Sequence, residues 1–284
     1  MSTATNTTFF AGTACYLVAA ALVLAYLYHD SRRWLPVATA VLVVGALGYG
    51  TALALRAAQW GRLPLTTMTD GIALFAIFAT LVMLLFVWRY AVFALLCFFV
   101  PPLAMVCAIT SFVAARDLST PPQALPTLPL ALHAGSAFLA YTLFFLASIT
   151  SAAYLFQVRR LKQHPTGRLF RRLPSLEQLD QSLYRLIVWG CVLYVVALSL
   201  GVVWAGLESD LLAATWWTSP KVVLAWITAL FFLLVFLLRR FRGFRGPKLA
   251  YVILAGFTCV LLLYLLLGVA EVRTFNFWEA AACR

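Results

Sequence analysis

Eight long apolar runs separated by short polar gaps set the pattern of this chain: residues 9–28, 34–55, 71–88, 91–113, 128–156, 186–206, 222–238 and 249–270. A helix needs roughly 20 apolar residues to cross a hydrocarbon core, and each run is close to that length. The pattern predicts an all-α, polytopic integral membrane protein with about eight transmembrane helices. The fifth run is long enough to tilt or to project beyond the bilayer, whereas the seventh is short.

The charges give this bundle a direction. The 284 residues are 64% hydrophobic, yet they carry 21 Lys and Arg against nine Asp and Glu, a net charge of +12. Fourteen of the basic residues fall on one set of gaps: Arg32, Arg33, Arg89, Arg159, Arg160, Lys162, Arg168, Arg171, Arg172, Arg239, Arg240, Arg242, Arg245 and Lys248. Six fall on the opposite set and the tails, namely Arg56, Arg62, Arg116, Lys221, Arg273 and Arg284, while Arg185 begins the sixth helix. Lys and Arg accumulate on cytoplasmic loops, so both termini are expected outside. Clustered cations also bind nucleic acid, but here they flank membrane spans, and no nucleic-acid partner is expected. The bilayer is the expected partner, with anionic headgroups as a secondary role for the basic loops. Residues 1–8 carry no positive region and no small-residue cleavage site follows a short apolar segment, so the first helix is expected to remain in the protein.

The remaining chemistry is sparse. Cys15, Cys97, Cys107, Cys191, Cys259 and Cys283 form no CxxC pair, and the first five lie in apolar spans. They read as small core hydrophobes, not as a thiol-disulfide carrier or a zinc site. No phosphate-binding glycine loop, HExxH or GxSxG occurs, which leaves nucleotide-driven and hydrolytic mechanisms without support. Nothing is large enough to fold as a separate soluble domain, so residues 1–284 are read as a single integral-membrane domain. The longest polar stretch, 158–180, is a basic cytoplasmic connector, and Ser175 within it is placed to cap a short amphipathic turn.

Three outward features stand apart from the apolar background. His133 lies near the outer end of the fifth helix, where Ser136, Ala140 and Phe144 share its face at helical spacing. An unpaired polar side chain in lipid is unfavourable, so this imidazole should face protein or water, either as an interhelical hydrogen bond or as a ligand contact. The segment between helices six and seven carries Trp204, Trp216 and Trp217, an interfacial aromatic belt or a platform for a flat apolar ligand. Asp70 enters helix three after Thr67 and reads as a helix cap, with a ligand or Lys221 as the other partner open to it.

The order of these pieces resembles the integral-membrane cytochrome c assembly family that contains CcsA and CcmC, on the side of its YpjD and HemX-like branch. GRLPLTTMTDGIALF resembles the family's entry to a helix with an acidic residue. LALHAGSAFLAYTLFFLASITSAAYLFQVRRLK resembles its His-bearing helix, PSLEQLDQSLYRLIVWG the exit from the connector, and KVVLAWITALFFLLVFLLRRFRGFRGPKLAYVILAGF the helix pair joined by a basic Arg-Gly turn. The resemblance covers about residues 60–270. It implies a multi-pass protein of the bacterial inner membrane that handles heme at the outer face, an assembly or accessory factor more than an enzyme. Its partners would be apocytochrome c or other cytochrome c assembly proteins. It further implies His133 as an iron ligand and Trp204, Trp216, Trp217, Asp70 and Lys221 as cofactor-binding residues.

The chain departs from the family at two points. Where Trp-rich members carry Trp-Ser-Trp-Asp-Pro-Lys, it reads Trp216-Trp217-Thr218-Ser219-Pro220-Lys221, and after the last helix GVAEVRTFNFWEAAACR holds no second external histidine. His29 and His164 belong to the cytoplasmic side. The missing groups favour a second reading, a HemX-like, non-enzymatic regulator of tetrapyrrole synthesis acting through cytoplasmic loops. A transporter is the third class, and neither an inverted repeat nor appreciable intramembrane charge supports it.

Overall fold

The computed structural model describes residues 3–29, 33–61, 64, 67–90, 93–114, 128–161, 173–207 and 216–274. Regular structure among them is entirely helical: α1 Thr3–His29, α2 Trp34–Trp60, α3 Met68–Tyr90, α4 Leu96–Ala114, α5 Leu128–Leu161, α6 Leu176–Leu207, α7 Pro220–Arg242 and α8 Pro247–Thr274, with single 3-10 turns at Phe93–Leu95 and Trp216–Thr218. All eight are long and apolar enough to cross a bilayer. Helices satisfy their own backbone groups, which lipid cannot do. The 34 residues of α5 make a rod of about 51 Å at 1.5 Å per residue, well beyond a ~30 Å core.

One expected boundary is wrong. The apolar run of α6 starts at 186, but the helix starts at Leu176, so the segment after Ser175 is no short turn but the first three turns of α6. Ser175 does cap it. Gln178 N–H donates to Ser175 Oγ at 3.2 Å while Ser175 N–H donates to Gln178 Oε1 at 3.1 Å, a reciprocal box that starts the helix in polar surroundings. Most of the connector, including His164, lies outside the described residues, as do Arg62, Arg116 and Cys283.

The bundle is organised around α5. Phe145 meets Phe75 of α3, Phe99 of α4 and Phe257 of α8, with ring centroids 5.6, 5.5 and 5.8 Å away. Its neighbour Phe144 stacks on Phe232 of α7 at 3.6 Å and occupies the space a Cβ on Gly190 of α6 would need, 2.5 Å from its Cε1. α6 runs antiparallel along α5, α7 packs on α6 and α8, and α1 packs on α2 and α4.

Lipid is as apolar as a leucine side chain, so close packing and interhelical hydrogen bonds hold membrane helices together. The α1–α2 seam uses the first device: a Cβ on Gly48 would lie 3.1 Å from Gly12 Cα. The second ties α1 to its neighbours. Thr13 Oγ1 lies 2.8 Å from Tyr49 Oη and 2.6 Å from Ser111 Oγ, and Tyr16 Oη lies 2.8 Å from Thr80 Oγ1.

At the basic end the helices are tied by charge. Arg239 of α7 grips Asp180 of α6 with both guanidinium nitrogens, at 2.9 and 2.7 Å, and lies over the Tyr184 ring. Arg159 of α5 donates to Tyr251 Oη of α8 at 2.9 Å. The Arg-Gly turn between α7 and α8 closes on Gly243, whose φ of 61° suits a residue without a Cβ, and Phe244 N–H returns to Leu238 O at 3.3 Å.

Candidate functional site

His133 lies one and a half turns into α5 and faces α6. Its Nδ1 is 2.7 Å from the Ala197 carbonyl oxygen. A carbonyl only accepts, so Nδ1 carries the proton, and in the neutral ring Nε2 keeps its lone pair. The ring also rests on Gly201, where a Cβ would come within 2.8 Å of both Cε1 and Nδ1. The interhelical hydrogen bond and the ligand contact anticipated for this residue therefore do not compete: one nitrogen makes the first and leaves the other for the second.

Of the residues sharing its face, Ser136 turns its hydroxyl back to Leu132 O at 2.7 Å, while Ala140 and Phe144 are fully buried in the α5–α6 seam. The face is packing below His133 and opens only at its level. There a groove of about 200 Å³ lies between α5, α6 and α7, lined by His133, Gly201, Trp204, Trp216, Lys221 and Trp226 among others. Trp204 Nε1 is buried with no acceptor among the described residues, and buried indole N–H groups ordinarily find one.

Four of the six expected residues thus converge: His133, Trp204, Trp216 and Lys221. Trp217 is 63% exposed and stands outside the groove on the same 3-10 turn. Asp70 is elsewhere. It is 1% exposed between α2 and α3, where it pairs with Arg56, itself 4% exposed. It also closes a cap with Thr67, whose Oγ1 accepts Asp70 N–H at 3.2 Å and whose own N–H lies 3.4 Å from Asp70 Oδ2. Arg56 donates in addition to Thr67 and Thr69, both at 3.2 Å. Asp70 is thus a helix cap and half of a buried ion pair, with Arg56 and not Lys221 as its cation.

Sequence reasoning missed Gly201, Trp226 and Arg56. Trp226 follows Lys221, Val222 and Ala225 on one face of α7, and that helical spacing was the available signal. Arg56 was counted only as a loop charge, although a carboxylate at a helix entrance in lipid needs a cation nearby. Among the cysteines, Cys107 is buried, Cys15, Cys97 and Cys191 are half-buried, and Cys259 is exposed, contrary to the core role expected of it. No group of three or more His, Cys, Asp or Glu able to hold a metal ion occurs among the described residues.

Comparison with known proteins puts these features in a family. The sequence profile described as Cytochrome C assembly protein matches residues 15–272. Protein HemX of Bacillus subtilis (strain 168) is 30% identical over 139 residues, 49% of this chain and 49% of that protein. The cytochrome c biogenesis protein CcsA of Prochlorococcus marinus is 29% identical over 189 residues in strain MIT 9515, covering 58% of this chain and 59% of that one. In strain MIT 9301 it is 27% identical over 228 residues, 72% of each. The chain thus spans about half the length of the HemX it matches. No solved structure matches. With the profile running from α1 to α8 and eight helices fit to cross a bilayer, the chain is a multi-pass membrane protein that belongs to the cytochrome c assembly family.

Proposed function

We propose that this protein binds or passes heme at the outer face of a bacterial inner membrane, as an assembly or accessory factor in cytochrome c biogenesis. The observation that carries the reading is the placement of His133: its Nδ1 is engaged by Ala197 O, which leaves Nε2 as the ring nitrogen open to a ligand, and the ring lines a groove. Metal-binding histidines are ordinarily held in this way, by a carbonyl on the other nitrogen.

As cargo, heme supplies an iron with axial positions to fill and two carboxylates. His133 Nε2 would take one axial position. The Lys221 ammonium and the Trp204 N–H, which has no acceptor among the described residues, are complementary to carboxylates, and Trp216 and Trp226 offer flat apolar walls. Trp217 stands on the exposed shoulder of the same turn. Asp70 acts at a distance, by fixing the start of α3. A groove of about 200 Å³ is smaller than the roughly 300–1,000 Å³ of sites that enclose a whole ligand, so it suits one side of a porphyrin. That agrees with a chain carrying one external histidine where two would enclose the iron.

The outer-face assignment rests on the fourteen-to-six division of Lys and Arg, which also supports both termini outside. Apocytochrome c, or another assembly protein, would meet the groove from that side. The similarity to HemX supports a second reading, regulation of tetrapyrrole synthesis through the basic loops. Absorption spectra of the detergent-purified protein, oxidised and reduced, separate the two. A Soret band in wild type that is lost or shifted in His133→Ala is the expected result. A wild-type protein that takes up no heme when heme is supplied would leave the regulatory reading.

A further inference from the structure

A second groove, of about 390 Å³, runs down the lipid-facing side of α3, α5 and α6 and contains none of the heme-site residues. Its walls are Phe86, Leu139, Leu143, Leu186, Trp189 and Leu193, and at one end stand Ser182 and Arg185. Ser182, Arg185, Leu186, Trp189 and Leu193 fall at helical spacing on one face of α6, so from Ser182 to Leu193 the groove extends about 16 Å along the helix. That is most of the thickness of one leaflet, since the whole hydrocarbon core is about 30 Å.

The polar end of this groove is the basic end of the bundle. Ser182 and Arg185 lie early in α6, near the Asp180–Arg239 pair. Arg89 lies one turn beyond Phe86 on the same face of α3, toward that end, and is exposed. Arg185 begins the apolar run of α6 and belongs to neither set of gaps. An apolar channel one leaflet long, with a guanidinium and a hydroxyl at its headgroup end and a second guanidinium one helical turn beyond on α3, is complementary in shape and charge to a phospholipid with an anionic head.

We propose that this groove holds one anionic phospholipid of the leaflet at the basic end, an acyl chain lying along Leu139, Leu143, Trp189 and Leu193 and the phosphate meeting Arg185, Arg89 and Ser182. Guanidinium binds phosphate through paired, charge-assisted hydrogen bonds, whereas a zwitterionic head brings its own ammonium to the same phosphate. The lipid would fill the cleft between α3, α5 and α6 and brace α6 below the His133 groove.

Native mass spectrometry of the full chain, delipidated in detergent and titrated with phosphatidylglycerol or phosphatidylcholine, tests this directly. Wild type should retain one phosphatidylglycerol at least tenfold more tightly than phosphatidylcholine. Arg185→Gln should weaken retention about tenfold, the equivalent of one hydrogen bond to a charged group. Leu143→Trp should fill the channel and expel the lipid with the charges intact. Arg245→Gln, in the α7–α8 turn away from the groove, should change nothing. Equal retention of the two lipids, an Arg245 effect as large as that of Arg185, or displacement by soluble glycerol phosphate at equal concentration would each overturn the proposal.

Discussion

Substitution of Gly201 by alanine tests the His133 site most sharply, because its effect should change sign with the residue it faces. In wild type the new Cβ would lie 2.8 Å from both Cε1 and Nδ1 of His133, too close for carbon to approach either atom. The ring cannot retreat along α6 without leaving Ala197 O, which it contacts at 2.7 Å. The protein must lose the hydrogen bond or part α5 from α6. Overpacking of this kind costs about 1–3 kcal/mol. In a His133→Ala background the ring is gone and the space is open. There the same substitution replaces a glycine inside a helix and should stabilise by about 0.5–1 kcal/mol. The coupling between the two positions is then about 1.5–4 kcal/mol, well above the few tenths expected of sites that do not touch. Thermal unfolding of the four proteins in one detergent gives that coupling, and a Soret spectrum of Gly201→Ala reports whether the displaced imidazole still ligates. If Gly201→Ala destabilises equally with and without His133, the ring does not rest on Gly201 and the tautomer argument falls with it.

Three further substitutions probe what holds the groove in place. Arg56→Met should destabilise by about 3–5 kcal/mol by leaving Asp70 buried and unpaired, and Arg56→Met with Asp70→Leu should recover most of the loss; a double variant no better than the single would refute a buried pair. Asp180→Asn should cost about 1–3 kcal/mol, because Arg239 is 7% exposed and would lose its charged partner between α6 and α7; unchanged unfolding would show the pair to be solvated. Gly256→Ala would place its Cβ 2.0 Å from Phe231 Cζ, so the ring must swing or α7 must part from α8, at about 1–3 kcal/mol; a neutral result in a protease-protection assay would show that Phe231 has room to move.

The helices were legible because lipid imposes one rule on every span: about 20 apolar residues, with charges pushed to the ends. The rule fails where a helix continues past its apolar run. Leu176 to Arg185 carries Glu177, Asp180 and Arg185 and so falls outside the apolar run, yet Ser175 and Gln178 cap it and Leu179 and Leu183 bury a face. Apolar run length measures the membrane and not the helix. A polar extension has to be read from caps and 3.6-residue spacing instead.

The site was legible in part for a similar reason. His133 stood out as a polar group that lipid does not tolerate, Trp204 and Trp216 as interfacial aromatics, and Lys221 through the family resemblance, and none of these signals carries information about distance. Trp204 and Trp216 are separated by eleven residues of sequence and share a groove, whereas Trp217, adjacent to Trp216, does not line it. Asp70 passed the same filter, and its partner Arg56 sits fourteen residues earlier on another helix, a pairing set only by how α2 and α3 pack. Gly201 gave no chemical signal at all, although it is where the imidazole ring rests. Residue type tells which groups must be sheltered from lipid. The small residues opposite them decide where, because only a missing side chain lets a ring approach another helix closely enough to bond to its backbone.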